Sequence, residues 1–226
     1  MRNGLYGKLP CKRDFVAEGV PRGFLPVFEP WLQGSLGAAR MALGSRWQEI
    51  YLSAPIWRFW IGSAHCGRTV TGAFMPSVDG VGRWFPLTLM AAADEGETIA
   101  PPTASANETW FDAVETLLLS ALDDGRRWED LTADLAGLST PPTAAATRLP
   151  DGAVLTGDGL LVARGGEATT ASAFAALAGA GAAAELATAT FWWTIGGGTF
   201  PAMAATSRRM PDQGLFQGFL TGRFEG

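Results

Sequence analysis

The sequence predicts an α+β fold in which a central, largely antiparallel sheet is covered by helices on both faces, an arrangement similar to an α/β/α sandwich. Residues 56–61, 68–75 and 83–92 are successive runs rich in aromatic and branched side chains, separated by Gly and Pro. Such runs are typical of neighbouring antiparallel strands, so they predict an aromatic-rich meander. Both faces of these strands are largely apolar, and helices are therefore expected on both sides.

The segments before the meander predict one strand and one main helix. Residues 3–9 have the character of a short strand, and residues 10–24 are loop-like. Residues 29–43 are predicted to be helical with Pro30 in the first turn, where a missing amide is tolerated. One face of this helix carries Leu32, Leu36, Ala39 and Leu43. One or two further helical turns are expected over residues 45–53.

The segments after the meander predict more helices and a second group of strands. Ser105 and Glu108 have capping-box spacing and are expected to open a helix. Its apolar stripe is Trp110, Val114, Leu117, Leu118 and Ala121. The later predicted elements are a helix over 128–138, a hairpin over 153–163 with its turn at 157–159, a helix over 169–186, a strand over 188–195, a return strand within 196–207 and a terminal helix over 215–220.

Domain organisation follows from the linker-like residues 139–152, which are rich in Pro and small polar residues. This segment does not have to separate domains. With 226 residues, of which 47% are hydrophobic, the chain can bury one substantial core. We therefore expect a single domain, 1–226, and a packed subdivision near 139–152 remains open.

Residue usage disfavours most catalytic and cofactor chemistry. His65 is the only histidine, and Cys11 and Cys66 are the only cysteines, which leaves little for a zinc site, a disulfide framework or a His-activated nucleophile. The Gly-Lys pair at residues 7–8 lacks the spacing of a phosphate-binding loop, and Gly196–Gly198 is not followed by a helix start. The sequence therefore predicts no cofactor and no metal.

Charge and hydropathy favour the cytoplasm and argue against nucleic acid as a partner. Up to residue 92 there are ten Lys/Arg against five Asp/Glu, and after it seven against seventeen. The basic residues are scattered, so nucleic-acid binding is poorly supported. The two halves can attract each other across a packed interface, offer separate faces to partners, or form ordinary solvated surfaces. Neither a membrane span nor a secretory signal is recognisable, and the cytoplasm is the expected location.

Acidic residues are the remaining route to an enzyme. Seven of them lie in predicted turns or at helix ends and are expected to be solvated: Asp94, Glu95, Glu97, Asp123, Asp124, Glu129 and Asp130. Asp79 differs because it lies in a long connection between two apolar strands. It is either an ordinary turn residue or part of a displayed site with Arg83 and Trp84.

Two arginines among the aromatic runs also need partners. Arg58 lies within a strand and Arg83 beside Trp84. Buried arginine is rare without a counter-charge, so each either pairs internally with Asp79 or Asp14, or stands at a surface where Arg and Trp anchor a partner. We favour internal pairing for Arg58 and surface display for Arg83 and Trp84.

Several motifs resemble the type VI secretion-associated family called TagF or ImpM. They are GLYGKLP from residue 4, DFV from 14, YLSAPIWRF from 51, CG from 66, MPSVDGVGRWFPLTL from 75 and FWWT from 191. The resemblance spans most of the chain. Arg13 departs from it, because the family usually has glycine there. Relatives are sometimes fused to a PP2C-type phosphatase, but this chain lacks the aspartate set of such an enzyme and would be the stand-alone regulator.

The resemblance implies a cytoplasmic accessory protein that represses type VI secretion after translation. It implies action in the threonine phosphorylation pathway, beside a forkhead-associated scaffold and a PP2C-type phosphatase, and no catalytic residues. The predicted partner-binding residues are Asp79, Arg83, Trp84, Arg58 and Asp14. A small-ligand sensor domain and a carboxylate-based hydrolase are the alternative interpretations.

Overall fold

A seven-stranded antiparallel sheet organises the chain in a computed structural model, which describes residues 1–123, 125–146, 149, 151, 153–156, 160–163 and 170–224. The strands are β1 (Asn3–Gly7), β2 (Val16–Glu18), β3 (Trp57–Ile61), β4 (Val70–Met75), β5 (Leu87–Ala92), β6 (Glu97–Ile99), β7 (Thr143–Ala145), β8 (Ala153–Leu155), β9 (Leu161–Ala163), β10 (Thr190–Thr194) and β11 (Met203–Ser207). The order in the large sheet is β11-β10-β3-β4-β5-β1-β2. The pairs β6–β7 and β8–β9 form two small sheets.

Helices lie against both faces of this sheet. They are α1 (Leu25–Leu43), α2 (Trp47–Ser53), α3 (Ser63–Cys66), α4 (Glu108–Ser120), α5 (Trp128–Gly137), α6 (Thr170–Thr188) and α7 (Phe216–Thr221), with 3₁₀ turns at Gly44–Arg46 and Gln213–Leu215. None of the helices in the described ranges is both long and apolar enough to cross a membrane.

The two faces of the sheet pack into two main cores, and Trp60 of β3 joins a third, small cluster with Ala93 and Ile99. Trp57, Phe59 and Ile61 face an aromatic core formed with α1, α2 and α7. Side chains of β1, β4 and β5 face a second core with α4 and α5. The predicted α+β class, the largely antiparallel sheet and its helical cover on both faces are thus confirmed. The aromatic strands are buried because each strand contacts a helix layer on either side.

The meander and most later elements agree with the sequence predictions. β3, β4 and β5 pair consecutively as antiparallel strands. The predicted hairpin is present as β8–β9, although its turn at 157–159 lies outside the described residues. The predicted stripe of α4 is buried throughout. β10 pairs with β3, so a strand from beyond residues 139–152 completes the same sheet.

Three local predictions were wrong. The loop-like segment contains β2, which pairs with β1. α1 begins at Leu25 instead of residue 29, because Pro26 takes the first-turn position and Pro30 lies inside the helix. The capping box does not form: Asn107 precedes α4 in a left-handed conformation with φ of 51°, and no side chain caps the helix start. The Glu108 carboxylate binds Arg58 instead.

Candidate protein-binding site

The connection between β4 and β5 is folded around the carboxylate of Asp79. Its Oδ1 accepts hydrogen bonds from the backbone amides of Val81 at 3.1 Å and Arg83 at 2.9 Å. The Asp79 amide in turn donates to the Arg83 carbonyl oxygen at 3.0 Å, and the Gly80 amide donates to the Lys12 carbonyl oxygen at 2.7 Å. The loop is therefore closed on itself and attached to the segment after β1.

Two cations hold the other oxygen of this carboxylate. Lys8 Nζ lies 2.9 Å and Arg83 Nε 2.7 Å from Asp79 Oδ2, and the Asp79 and Lys8 side chains are both buried. Burial by itself would raise the pKa of Asp79. The hydrogen bonds from the Arg83 amide, Lys8, the Arg83 side chain and the Val81 amide outweigh it and hold this pKa well below its usual range. Asp79 is thus ionised and enclosed at neutral pH.

Arg83 links the enclosed carboxylate to the surface. Its side chain is 55% exposed, and its Nη2 donates to the Arg13 carbonyl oxygen and lies 3.3 Å from Asp14 Oδ1. Hydrogen bonds to Asp79 and then to Asp14 raise the pKa of Arg83. Position 13 contributes its backbone carbonyl here without a left-handed φ, so an arginine is accommodated without strain at the position where the resemblance implies glycine.

The same segment of the loop presents Trp84 to a groove. The Trp84 ring stacks on Tyr51 at a centroid distance of 5.4 Å and lies 6.4 Å from the Trp47 ring. The Tyr51 hydroxyl donates to the Ser77 carbonyl oxygen and accepts from the Ser77 amide, both at 3.0 Å. Tyr51 therefore joins the loop to α2 and fixes the wall of the groove.

The groove has a volume of about 480 Å³ and lies between α1, α2 and the loop. We call it the Trp84 groove; its lining residues are Leu36, Gly37, Arg40, Trp47, Gln48, Gly82, Arg83 and Trp84. Arg40 is exposed, and within the described part of the chain it makes no ion pair. Among the residues that the structure describes, no carboxylate lines the groove, so there it combines an aromatic wall with positive charge.

Arg58 belongs to a different cluster. It extends from β3 towards α4, where Nε lies 2.5 Å from Glu115, Nη1 2.6 Å from Glu108 and Nη2 3.6 Å from Asp112. Its guanidinium also lies 4.8 Å above the centre of the Phe111 ring. Burial lowers the pKa of Arg58, but the hydrogen bonds with Glu115 and Glu108 more than compensate and raise it overall.

The structure thus separates the five predicted residues into two groups. Asp14 and Arg83 are paired at the surface beside the half-buried Trp84, whereas the Asp79 and Arg58 side chains are buried. The internal pairing favoured for Arg58 is confirmed, but its predicted partners, Asp79 and Asp14, were wrong, because the side chain points to α4. Arg83 combines both roles considered for it, since it pairs with Asp79 and remains half exposed.

Sequence reasoning missed three residues of this region. Lys8 reaches Asp79 only because β1 lies beside β5, and Arg40 and Gln48 line the groove from helices distant in sequence. Lys8 gave one usable signal: it is one of two lysines in the chain and lies in the GLYGKLP motif. Arg40 gave none, because an arginine near a helix end is ordinary.

Comparison with known proteins identifies the family. Residues 4–138 match a family model described as the TagF N-terminal domain, type VI secretion system-associated. The chain belongs to this TagF family. It therefore has an accessory role in type VI secretion. No curated protein matches the chain.

A solved structure supports the TagF assignment beyond the matched region. The crystal structure of PA0076 from Pseudomonas aeruginosa PAO1 is 33% identical to this chain, covers 99% of it and 96% of its own length, and superposes with a TM-score of 0.77. The similarity thus includes β10, β11 and α7, which lie after the residues that the TagF family model matches.

The His65 and Cys66 side chains of this TagF-family chain have structural environments, whereas Cys11 is an exposed free cysteine. His65 and Cys66 lie in α3, not in an extended segment, and His65 Nε2 lies 2.7 Å from the Thr188 carbonyl oxygen. Burial raises the pKa of Cys66 to about 12, so its thiol stays protonated at neutral pH. Six of the seven solvated carboxylates are exposed as predicted, and the seventh, Asp124, lies outside the described residues.

Proposed function

We propose that this TagF-family protein is a non-enzymatic regulator that represses type VI secretion after translation. It acts in the cytoplasm by binding a protein partner at the Trp84 groove. The partner is the forkhead-associated scaffold of the threonine phosphorylation pathway, in which a PP2C-type phosphatase also acts. The proposal rests on the family's association with type VI secretion and on the exposed Arg40 and Arg83 and the half-buried Trp84 that line the groove.

The groove is the observation that carries the proposal. Trp and Arg are the residues most often responsible for binding energy in protein interfaces. Trp84 and Arg83 are held in place before any partner arrives, because Tyr51 and Asp79 fix the loop that bears them. A pre-organised surface loses less side-chain entropy on binding, which favours affinity. The free guanidinium of Arg40 gives the groove a preference for an acidic partner segment.

The environment of Asp79 favours binding over catalysis. A general acid or base must exchange protons with a substrate, and its pKa is usually tuned towards the working pH. Asp79 has the opposite properties, because two cations and two backbone amides occupy its oxygens and lower its pKa. Its position instead determines where Arg83 and Trp84 lie.

Exchanging one charge in the groove tests the proposal. Arg40→Glu reverses an exposed charge without disturbing an ion pair, so the variant should keep the wild-type melting temperature within about 2 °C. We expect its affinity for the purified scaffold to fall by about tenfold or more in isothermal titration calorimetry. Arg209→Glu is the matched control, since Arg209 is also exposed but lies outside the groove, and its affinity should be unchanged.

Two results would contradict this function. If the wild-type protein binds neither the scaffold nor the phosphatase, the assigned pathway is wrong. If Arg40→Glu and Arg209→Glu bind the scaffold equally well, the partner uses another surface. Turnover of a metabolite by the purified protein, in a screen of hydrolase substrates, would overturn the non-enzymatic role.

A further inference from the structure

A second cleft, distinct from the Trp84 groove, lies on the side of α2 that faces the end of the large sheet. It has a volume of about 640 Å³ and shares no lining residue with the groove. We call it the glycine-turn cleft; its lining residues are Leu43, Arg46, Ile50, Ser53, Gly197, Gly198, Thr199, Phe200, Gln217, Leu220, Thr221 and Arg223. Its volume falls within the range of small-molecule sites.

Two arginines give this cleft its charge. Arg46 and Arg223 are exposed, and neither forms an ion pair with any residue that the structure describes. Over the described ranges, the lining of the cleft contains no carboxylate. Both arginines follow the C-terminal end of a helix, α1 and α7, whose partial negative charge is at most about half a unit each. A net positive charge of roughly one unit or more therefore remains for a ligand.

The turn between β10 and β11 adds hydrogen-bond donors. Gly197 and Phe200 exchange two backbone hydrogen bonds, of 3.0 and 2.9 Å, so Gly198 and Thr199 form a two-residue turn. Gly198 has a left-handed φ of 56°, which glycine adopts without strain. Within the described ranges, neither the Gly198 nor the Thr199 amide donates to a backbone carbonyl. Gly198 and Thr199 both line the cleft, so their amides and the Thr199 hydroxyl are the polar groups that the turn can offer to a ligand.

Part of the cleft lining is apolar. Leu43, Ile50, Phe200 and Leu220 contribute it. A fitting ligand therefore carries a compact anionic group with several acceptor oxygens on an apolar or ring-shaped body. A phosphomonoester matches best, because its charge of about −1.5 to −2 at neutral pH complements two guanidinium groups, which bind phosphate with paired N–H donors. We propose that the glycine-turn cleft binds a small organic phosphate, between Arg46, Arg223 and the Gly198–Thr199 turn.

Calorimetric titration of the full chain with phenyl phosphate, inorganic phosphate and phenol tests this site. We expect saturable binding of phenyl phosphate in about the millimolar range, as its size allows. Inorganic phosphate should bind several-fold more weakly because it lacks the ring, and phenol should not bind. In amide NMR spectra, phenyl phosphate should shift the resonances of Gly198 and Thr199 most.

Arginine variants separate this cleft from other positive surfaces. Arg46→Gln and Arg223→Gln should each weaken phenyl phosphate binding about fivefold or more, and the double variant should abolish it. Arg40→Gln, in the Trp84 groove, should leave the affinity unchanged. Thr199→Val keeps both arginines, so it should lose less affinity for phenyl phosphate than either arginine variant. The amide resonances that phenyl phosphate shifts in this variant should differ from those it shifts in the wild type.

Three results would overturn the proposal. The first two are the absence of saturable phenyl phosphate binding and binding that survives in the Arg46→Gln/Arg223→Gln variant. The third is a loss of phenyl phosphate affinity in Arg40→Gln as large as in the single Arg46 and Arg223 variants, which would mark a general attraction of anions to positive charge. Binding of the scaffold protein is measured separately on the Trp84 groove, so either result can fail without the other.

Discussion

The cluster at Asp79 and the cluster at Arg58 are inverse arrangements of charge. In the first, one enclosed carboxylate lies between two cations, Lys8 and Arg83. In the second, one enclosed guanidinium lies beside three carboxylates of α4. Asp79 also accepts hydrogen bonds from two backbone amides, whereas Arg58, within the described part of the chain, donates hydrogen bonds only to side-chain carboxylates.

The Asp79 cluster shapes the surface at the Trp84 groove, whereas the Arg58 cluster joins β3 of the sheet to α4. Removing Asp79 would leave a buried lysine without a counter-charge and would release the loop that carries Arg83 and Trp84. Removing Arg58 would leave Glu108 and Asp112 in water, where they are already 57% and 72% exposed. The Asp79 cluster is therefore expected to matter both for stability and for the Trp84 groove, and the Arg58 cluster for stability only.

The largest effect is expected for Asp79→Asn. The amide keeps the shape of the side chain but removes the charge that compensates Lys8, and an uncompensated buried charge is strongly destabilising. We expect the melting temperature to fall by about 10 °C in calorimetry. Asp123→Asn, at an exposed position, is the control and should melt like the wild type. Equal melting temperatures for the wild type, Asp79→Asn and Asp123→Asn would show that the Asp79 cluster contributes nothing to stability.

A smaller loss is expected for Arg58→Met, which preserves much of the side-chain volume. It removes the hydrogen bonds to Glu108 and Glu115 and the contact with Phe111, but Glu108 and Asp112 are already exposed to water, so only Glu115 loses its partner in a largely enclosed position. The melting temperature should fall by about 5 °C, while the affinity for the scaffold stays unchanged. A loss of binding in this variant would place the partner on the α4 face and break the distinction between the clusters.

The stability that Asp79 contributes to the fold should depend on pH. The pKa of Asp79 is lowered in the folded protein, so the stability it contributes is fully present above its unfolded pKa of about 3.9. That contribution is lost progressively as the pH falls below this value. The gap in melting temperature between wild type and Asp79→Asn should stay constant from about pH 7 to pH 5 and narrow below about pH 4. A gap that stays constant down to pH 2 would argue against an ionised Asp79.

The smallest effect is expected for Glu108→Gln. Glu108 is mostly exposed, and Arg58 keeps Glu115, which is only 15% exposed, and Asp112. The change in melting temperature should be less than about 2 °C. A loss as large as that of Arg58→Met would mean that this one pair accounts for the whole cluster.

The sequence predicted local structure better than it predicted partners. The β3–β4–β5 meander was predictable because aromatic and branched side chains with Gly and Pro between them leave few alternatives. The Asp79 loop was recognisable as a turn with a special residue. The partner of Asp79, however, is Lys8, 71 positions away, which becomes its neighbour only when β1 pairs with β5.

Glu108 shows how a correct motif can have a different role. Its spacing from Ser105 is that of a capping box, and a helix does begin there. The carboxylate nevertheless binds Arg58, because an enclosed guanidinium attracts it more strongly than a solvated backbone amide. Pattern rules describe the helix end in isolation, whereas the competing partner comes from β3.

The central claim is that the partner binds at the Trp84 groove, and hydrogen–deuterium exchange tests it most directly. The exchange of backbone amides is measured in the protein alone and in its complex with the forkhead-associated scaffold. We predict that binding slows exchange in residues 80–84 and around Arg40 and Gln48, with no change in α4 and α5. Protection confined to α4 and α5, with none around Trp84, would contradict the account.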